Sequence, residues 1–234
     1  MAAAPDAQKK EAEVTINERL TDFIQKNRSI LFIGLIAIVV ALAGFIIIVT
    51  VRDKTLEKAL SRIDEFSRRY ESVRIDPDGD DPDALNKMDG VLALLEELTV
   101  FNAKNSGFAA ARSYSLTADI YWDLKNWAEA ENAWLSAAKA AAKSYLAPVS
   151  FYNAAVAAEE REDIDSAIAH YSKALDYGSI FPSAVRAQFS IGRLEESRNR
   201  KDAALEAYRN ILNNWPNDPV WLNLAQSRIL VLSN

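Results

Sequence analysis

Residues 118–134 read ADIYWDLKNWAEAENAW, and two later stretches line up with them at a constant step of 37: AVAAEEREDIDSAIAHY at 155–171 and GRLEESRNRKDAALEAY at 192–208. Three columns share that step. A small residue stands at Ala118, Ala155 and Gly192, a second at Ala130, Ala167 and Ala204, and an aromatic ring at Trp134, Tyr171 and Tyr208. Within each stretch the small residues are twelve apart and the ring follows four later. This spacing predicts two antiparallel helices crossing at the small side chains, where their axes can approach to about 8 Å, with the ring filling the hole beside the crossing. With half the residues apolar and only seven Gly and seven Pro among 234, the composition favours an all-α chain.

The columns resemble the tetratricopeptide repeat, a helix-turn-helix unit that stacks into a right-handed superhelix. Ala118, Tyr121, Ala130, Trp134 and Ala137 of the first unit stand at family positions. The second unit keeps Ala155, Ala167, Tyr171 and Ala174 but has Ala158 where the family prefers Tyr. The third keeps Gly192, Ala204, Tyr208 and the closing Pro216, and departs at Glu195 and Ile211. The resemblance covers residues 108–217. Its step is three longer than the usual 34, so longer helices or turns between units are expected. At residues 218–234, Asp218 and Pro219 provide a cap and first turn for an end helix carrying Trp221, Leu224, Ile229 and Leu232, which would cover the last apolar face of the stack.

Upstream, residues 30–51 read ILFIGLIAIVVALAGFIIIVTV without a charged side chain, between Arg28 and Arg52. At 1.5 Å per residue this run spans about 30 Å, the hydrocarbon thickness of a bilayer. It is expected to be a transmembrane helix. A cleaved signal peptide is the competing reading, but the 29 preceding residues are long for one and VTVRDKTLEKA offers no small-x-small cleavage site. Residues 1–29 form a short tail with an amphipathic stretch at Leu20, Phe23 and Ile24. The flanking charges, Arg19, Lys26 and Arg28 against Arg52, Lys54, Lys58 and Arg62, do not orient the span. A short tail stays put while a long following domain is translocated largely regardless of charge, which favours the N-terminus inside.

Residues 52–107 are expected to hold membrane-proximal helices. The first carries Leu56, Leu60, Ile63, Phe66 and Tyr70 at helical spacing. Residues 74–83, RIDPDGDDPD, break it. Their alternating Asp76, Asp78 and Asp80 lack the Gly and closing Glu of a calcium loop, so a solvated turn is expected. Asp81 and Pro82 then read as N-cap and first residue of a second helix with Leu85, Met88, Leu92 and Leu95 on its apolar face.

The absence of Cys removes disulfides, thiol nucleophiles and most zinc sites, and a net charge of −6 argues against a nucleic-acid partner. There is no glycine-rich phosphate loop, G-x-S-x-G or H-E-x-x-H. The lone His170 has no nucleophile or carboxylate at helical spacing and reads as a surface residue. No catalytic residue, cofactor or metal site is expected.

The order of tail, anchor, break and repeats, ending in AQSRILVLSN, is similar to the bacterial YfgM-type tetratricopeptide proteins. That resemblance implies an ancillary subunit of the Sec translocon in the inner (cytoplasmic) membrane, with the N-terminus cytoplasmic and the repeats periplasmic. It implies association with the SecYEG translocon and a membrane-anchored parvulin-type chaperone, and assistance to secreted client proteins. A structural adaptor of another envelope complex, in secretion or motility, is the alternative. By resemblance to the repeat class, the first helix of each unit lines a concave groove. The inward residues would be Arg112, Ser115, Asp119 and Trp122 in the first unit, Val149, Tyr152, Val156 and Glu159 in the second, and Arg186, Phe189, Arg193 and Glu196 in the third. Aromatics among mixed charges suit a peptide, although Trp122, Tyr152 and Phe189 could equally be core.

Overall fold

A computed structural model describes the backbone of residues 5–75 and 84–234, with side chains from residue 18. The readings at Asp76, Asp78 and Asp80 and at Asp81 and Pro82 lie outside the described residues. Among those residues the secondary structure is helical throughout, with no strand: α1 (Pro5–Val73), α2 (Ala84–Lys104), α3 (Gly107–Asp123), α4 (Trp127–Ala140), α5 (Leu146–Glu160), α6 (Ile164–Leu175), α7 (Ala184–Ser197), α8 (Lys201–Asn214) and α9 (Pro219–Ser233). A short 3-10 turn, Gly178–Ile180, lies between α6 and α7.

The chain divides into two units, Met1–Glu57 and Lys58–Asn234. The first contains the apolar run, which is the one segment among the described residues long and apolar enough to cross a membrane. Its most apolar 18-residue window has a mean hydropathy of 3.2 and none of it is buried. A core helix of this protein would bury such a stretch; here Ile30, Ile33 and Ile48 each keep over 60% of their surface exposed.

In the second unit α3 to α9 stack in sequence order, each packed mainly on its chain neighbours, as short connections between antiparallel helices require. The small-residue columns sit where the helices touch. Ala118, Ala155, Ala130, Ala167 and Ala204 are fully buried, and Tyr171 and Tyr208 are at or below 1% exposed with Trp134 close behind. At Gly192 the crossing leaves no room for a methyl: an added Cβ would lie 2.5 Å from Cε1 of the Tyr208 ring.

The turn inside each unit repeats as well. Lys125, Glu162 and Asn199, again 37 apart, are left-handed at φ 56°, 61° and 57°. The next residue's N–H reaches back five residues, as in Asn126 to the Tyr121 carbonyl, Asp163 to Ala158 and Arg200 to Glu195, each at 2.9 Å. These are Schellman closures that satisfy the last carbonyls of α3, α5 and α7. Asp163 also caps α6 by accepting from the Ser166 N–H at 3.1 Å.

The C-terminal part of α1 joins this fold through large side chains. Phe66 and Tyr70 form a buried cluster with Val91, Leu94, Leu95 and Leu98 of α2 and with Leu116 and Ile120 of α3, and Ile63 is buried with them. Of the face of α2 expected inward, Leu95 is buried and Met88 half-buried, but the other two leucines are not. Leu85 and Leu92 are 86% and 55% exposed, because α2 turns the Val91, Leu94 and Leu98 stripe, together with Leu95, toward α1 and α3. At the other end Ala225 of α9 is fully buried, while Trp221, Ile229 and Leu232 pack on the Val185, Tyr208 and Ile211 cluster. Leu224, expected on that packed face, is 44% exposed.

Candidate functional site

Five of the twelve expected groove residues line one cavity of about 630 Å³: Asp119 and Trp122 on α3, Tyr152 and Val156 on α5, and Arg186 on α7. Sequence reasoning missed the wall completing it, formed by Ser67, Tyr70, Glu71 and Arg74 from the end of α1. Of the other seven, Ser115 donates to the Ala111 carbonyl of its own helix at 3.0 Å and Val149 is half-buried on α5, and five are engaged elsewhere. Arg112 lies 3.5 Å from Asp64 of α1. Phe189 is wedged between Tyr208 and Trp221, with ring centroids 5.2 and 5.3 Å away. Glu159, Arg193 and Glu196 are tied into ion pairs that join successive units.

Those ion pairs form a repeating clasp. The Tyr171 hydroxyl donates to Glu159 at 2.6 Å, and the other carboxylate oxygen of Glu159 accepts from Arg193 of the next unit. One unit on, the Tyr208 hydroxyl donates to Glu196 at 3.0 Å, and Glu196 accepts from Arg228 of α9, including its Nε at 3.1 Å. Burial, and then the bond to Glu159, push the Tyr171 hydroxyl well above its ordinary pKa, so it stays a donor.

The first unit lacks the clasp. Subtracting 37 from Tyr171, Glu159 and Arg193 gives Trp134, Trp122 and Val156, so all three polar members are apolar there. Trp122 instead stacks among rings, 4.6 Å from Trp127 and 5.6 Å from Trp134. Tyr152 contacts Tyr171 at 5.2 Å and Phe181 at 5.9 Å, with the Arg186 guanidinium 5.7 Å from its ring centre. Half-buried, the three expected groove aromatics bridge core and surface: Trp122 and Tyr152 open onto the cavity, and Phe189 does not.

At the α1 wall, Asp123 is saturated. It accepts from the Tyr70 hydroxyl at 2.5 Å and pairs with Arg74 at 2.7 Å. Asp119, one helical turn earlier, has no hydrogen-bond or ion-pair partner among the described residues. Desolvation by the groove walls, helped by the nearby Asp123 charge and opposed by Arg74, pushes its carboxyl up to about 6.

His170 is not a free surface residue. Its Nε2 lies 3.0 Å from Glu131, a largely buried carboxylate of α4 that also binds Arg161 after α5. The cluster ties α4, the end of α5 and α6 together. The signal was legible only as a histidine on α6, because Glu131 is 39 residues away. No cluster of His, Cys, Asp or Glu among the described residues has the makings of a metal site.

The tetratricopeptide repeat family model matches residues 152–219, which hold most of the second and third units. A "TPR repeat-containing protein" of Treponema pallidum (strain Nichols) is 29% identical over 229 residues, covering 92% of this chain and 93% of its own. The similarity therefore runs through the apolar N-terminal helix as well as the repeats. Sequence match and helix geometry agree: the chain after α2 is a solenoid of tetratricopeptide-type helix pairs, a fold used as a scaffold for protein interaction.

Proposed function

We propose that this protein is a membrane-anchored scaffold that captures polypeptide segments in the groove bounded by α1, α3, α5 and α7, and that it acts by binding and not by catalysis. The observation carrying this reading is the open groove of the first unit. Where the later units close their junctions with a Tyr–Glu–Arg clasp, this junction presents Trp122, Val156 and an unpaired Asp119. Half-buried aromatics backed by rigid helices are the side chains that dominate binding energy at protein interfaces. The exposed apolar run of residues 30–51 serves as an uncleaved single-pass anchor, with residues 1–29 on the cytoplasmic side and the repeats across the membrane.

The layout shared with YfgM-type proteins favours the inner membrane, the SecYEG translocon and a membrane-anchored parvulin-type chaperone as setting and partners, with emerging secreted proteins as clients. The relative matched along nearly its whole length supports a common arrangement of anchor and repeats. Photo-crosslinkers placed at Asn153 in the groove and at Leu224 on α9, in native membranes, test this. Translocon subunits, chaperone or clients should be trapped from Asn153. Exclusive trapping of subunits of another envelope machine would replace the translocon by the adaptor reading, and trapping from Leu224 alone would remove the groove as the site.

A further inference from the structure

We propose that the first-unit cavity takes an extended polypeptide segment in which a lysine or arginine meets Asp119 and a neighbouring large apolar side chain packs on Trp122 and Tyr152. The proposal rests on the groove reading above and adds the chemistry of its occupant. Charge complementarity identifies that chemistry. Three acidic side chains, Glu71, Asp119 and Asp123, stand at the α1 end of the cavity, and its cation there, Arg74, is committed to Asp123. Arg186 lies over the Tyr152 ring at the α7 end. Asp119 is thus a carboxylate with no bonded cation, lining the same cavity as the Trp122 ring, and a bound guanidinium or ammonium would gain a charge-assisted hydrogen bond there, with an aromatic ring in the same lining for a cation–π contact. In the other two units, the residues 37 and 74 further on are Val156 and Arg193. Neither can hold a cation, so the preference is local to this cavity. Asp119 keeps an exposed side chain that an incoming cation can reach, and the groove walls raise its carboxyl in the free protein. An incoming cation relieves what the fold imposes.

The test uses the full-length protein in detergent micelles and a fluorescein-labelled peptide, Gly-Ser-Leu-Arg-Phe-Ser-Gly, with versions carrying citrulline or glutamate in place of arginine. By anisotropy the arginine peptide should bind about tenfold or more tighter than the citrulline peptide, as a hydrogen bond between charged groups warrants. The glutamate peptide should bind weakest. Asp119→Asn should erase the arginine preference without weakening the citrulline peptide, and Trp122→Ala should weaken both. Asp119→Asn removes a disfavoured charge and is expected to fold; near-ultraviolet circular dichroism checks Trp122→Ala. An arginine preference that survives Asp119→Asn overturns the proposal. Equal binding of the three peptides, lost alike in Trp122→Ala, overturns the charge chemistry and leaves the groove reading standing. Failure of every peptide to bind, or binding indifferent to Trp122→Ala, overturns both.

Discussion

Gly192 and Tyr208 show how one atom sets a helix crossing. Ala118 and Ala155 occupy the same place in the other units and are fully buried there, so in the third unit the tyrosine ring fills the volume a methyl takes elsewhere. A Cβ at Gly192 would stand 2.5 Å from Cε1 and 2.8 Å from Cδ1 of that ring. Gly192→Ala should therefore lower stability despite its better helix propensity, by about 1–3 kcal/mol as overpacking does. Urea unfolding measures it, and an increase in stability would mean the ring swings aside freely. Asp119 gives a second prediction at this scale. Its folded-state pKa, about 6, lies above the ordinary 3.8, so the fold disfavours the charged form. Its stabilising contribution is complete below pH 4 and lost as pH rises through about 6. The melting temperature of Asp119→Asn minus that of the parent should grow between pH 4 and 7. A difference that stays flat would place the carboxyl in an ordinary solvated setting. Binding sites commonly keep such locally unfavourable groups.

At the scale of elements, the left-handed residues at the turns carry a cost the helices absorb. Glu162 holds φ 61° without the freedom of glycine, and an L-residue in that region costs about 1–2 kcal/mol. The greater unfolded-state entropy of glycine returns part of this, so Glu162→Gly should raise stability by about 0.5–1 kcal/mol. Chemical denaturation would show it, and a loss would mean the Glu162 side chain makes a contact worth more than the strain. These turns were not legible beforehand because none holds glycine; the signal is positional, at 37-residue steps, and not chemical. The crossings were legible, since only small residues permit them and their columns repeat. The inward face of α2 was not. The run VLALLEEL offers two leucine-bearing faces at helical spacing, and the choice between them belongs to α1 and α3. The groove was legible in part for a related reason. Equal offsets from Ala118, Ala155 and Gly192 give the direction of a side chain, but Tyr70 of α1 and Arg74 just after it wall the cavity that Asp119 lines, and Trp221 of α9 packs on Phe189. Both neighbours come from outside the repeating segment.

For the whole repeat unit, the clasps determine how far unfolding in one place is felt in another. A solenoid is held by each unit's own stability plus its contact with the next. Glu159 sits at the junction between the second and third units, where it satisfies the buried Tyr171 hydroxyl and holds Arg193. Glu196 makes the equivalent bonds to Tyr208 and Arg228 at the junction with α9. Removing either carboxylate strips partners from a phenol and a guanidinium, a loss of about 1–3 kcal/mol. The consequences should nevertheless differ. Glu159→Ala weakens a junction with several helices on each side, so α7 to α9 can open before the helices preceding them. Glu196→Ala frees only the end helix from its last clasp. Urea unfolding of Glu159→Ala should show a lowered midpoint together with a shallower transition, the mark of lost two-state behaviour, whereas Glu196→Ala should lower the midpoint and keep the parent's slope. Hydrogen exchange adds the location: α7 to α9 should exchange faster than α3 to α5 in Glu159→Ala. If both variants unfold with the parent's slope, the apolar clusters couple the units and the clasps do not.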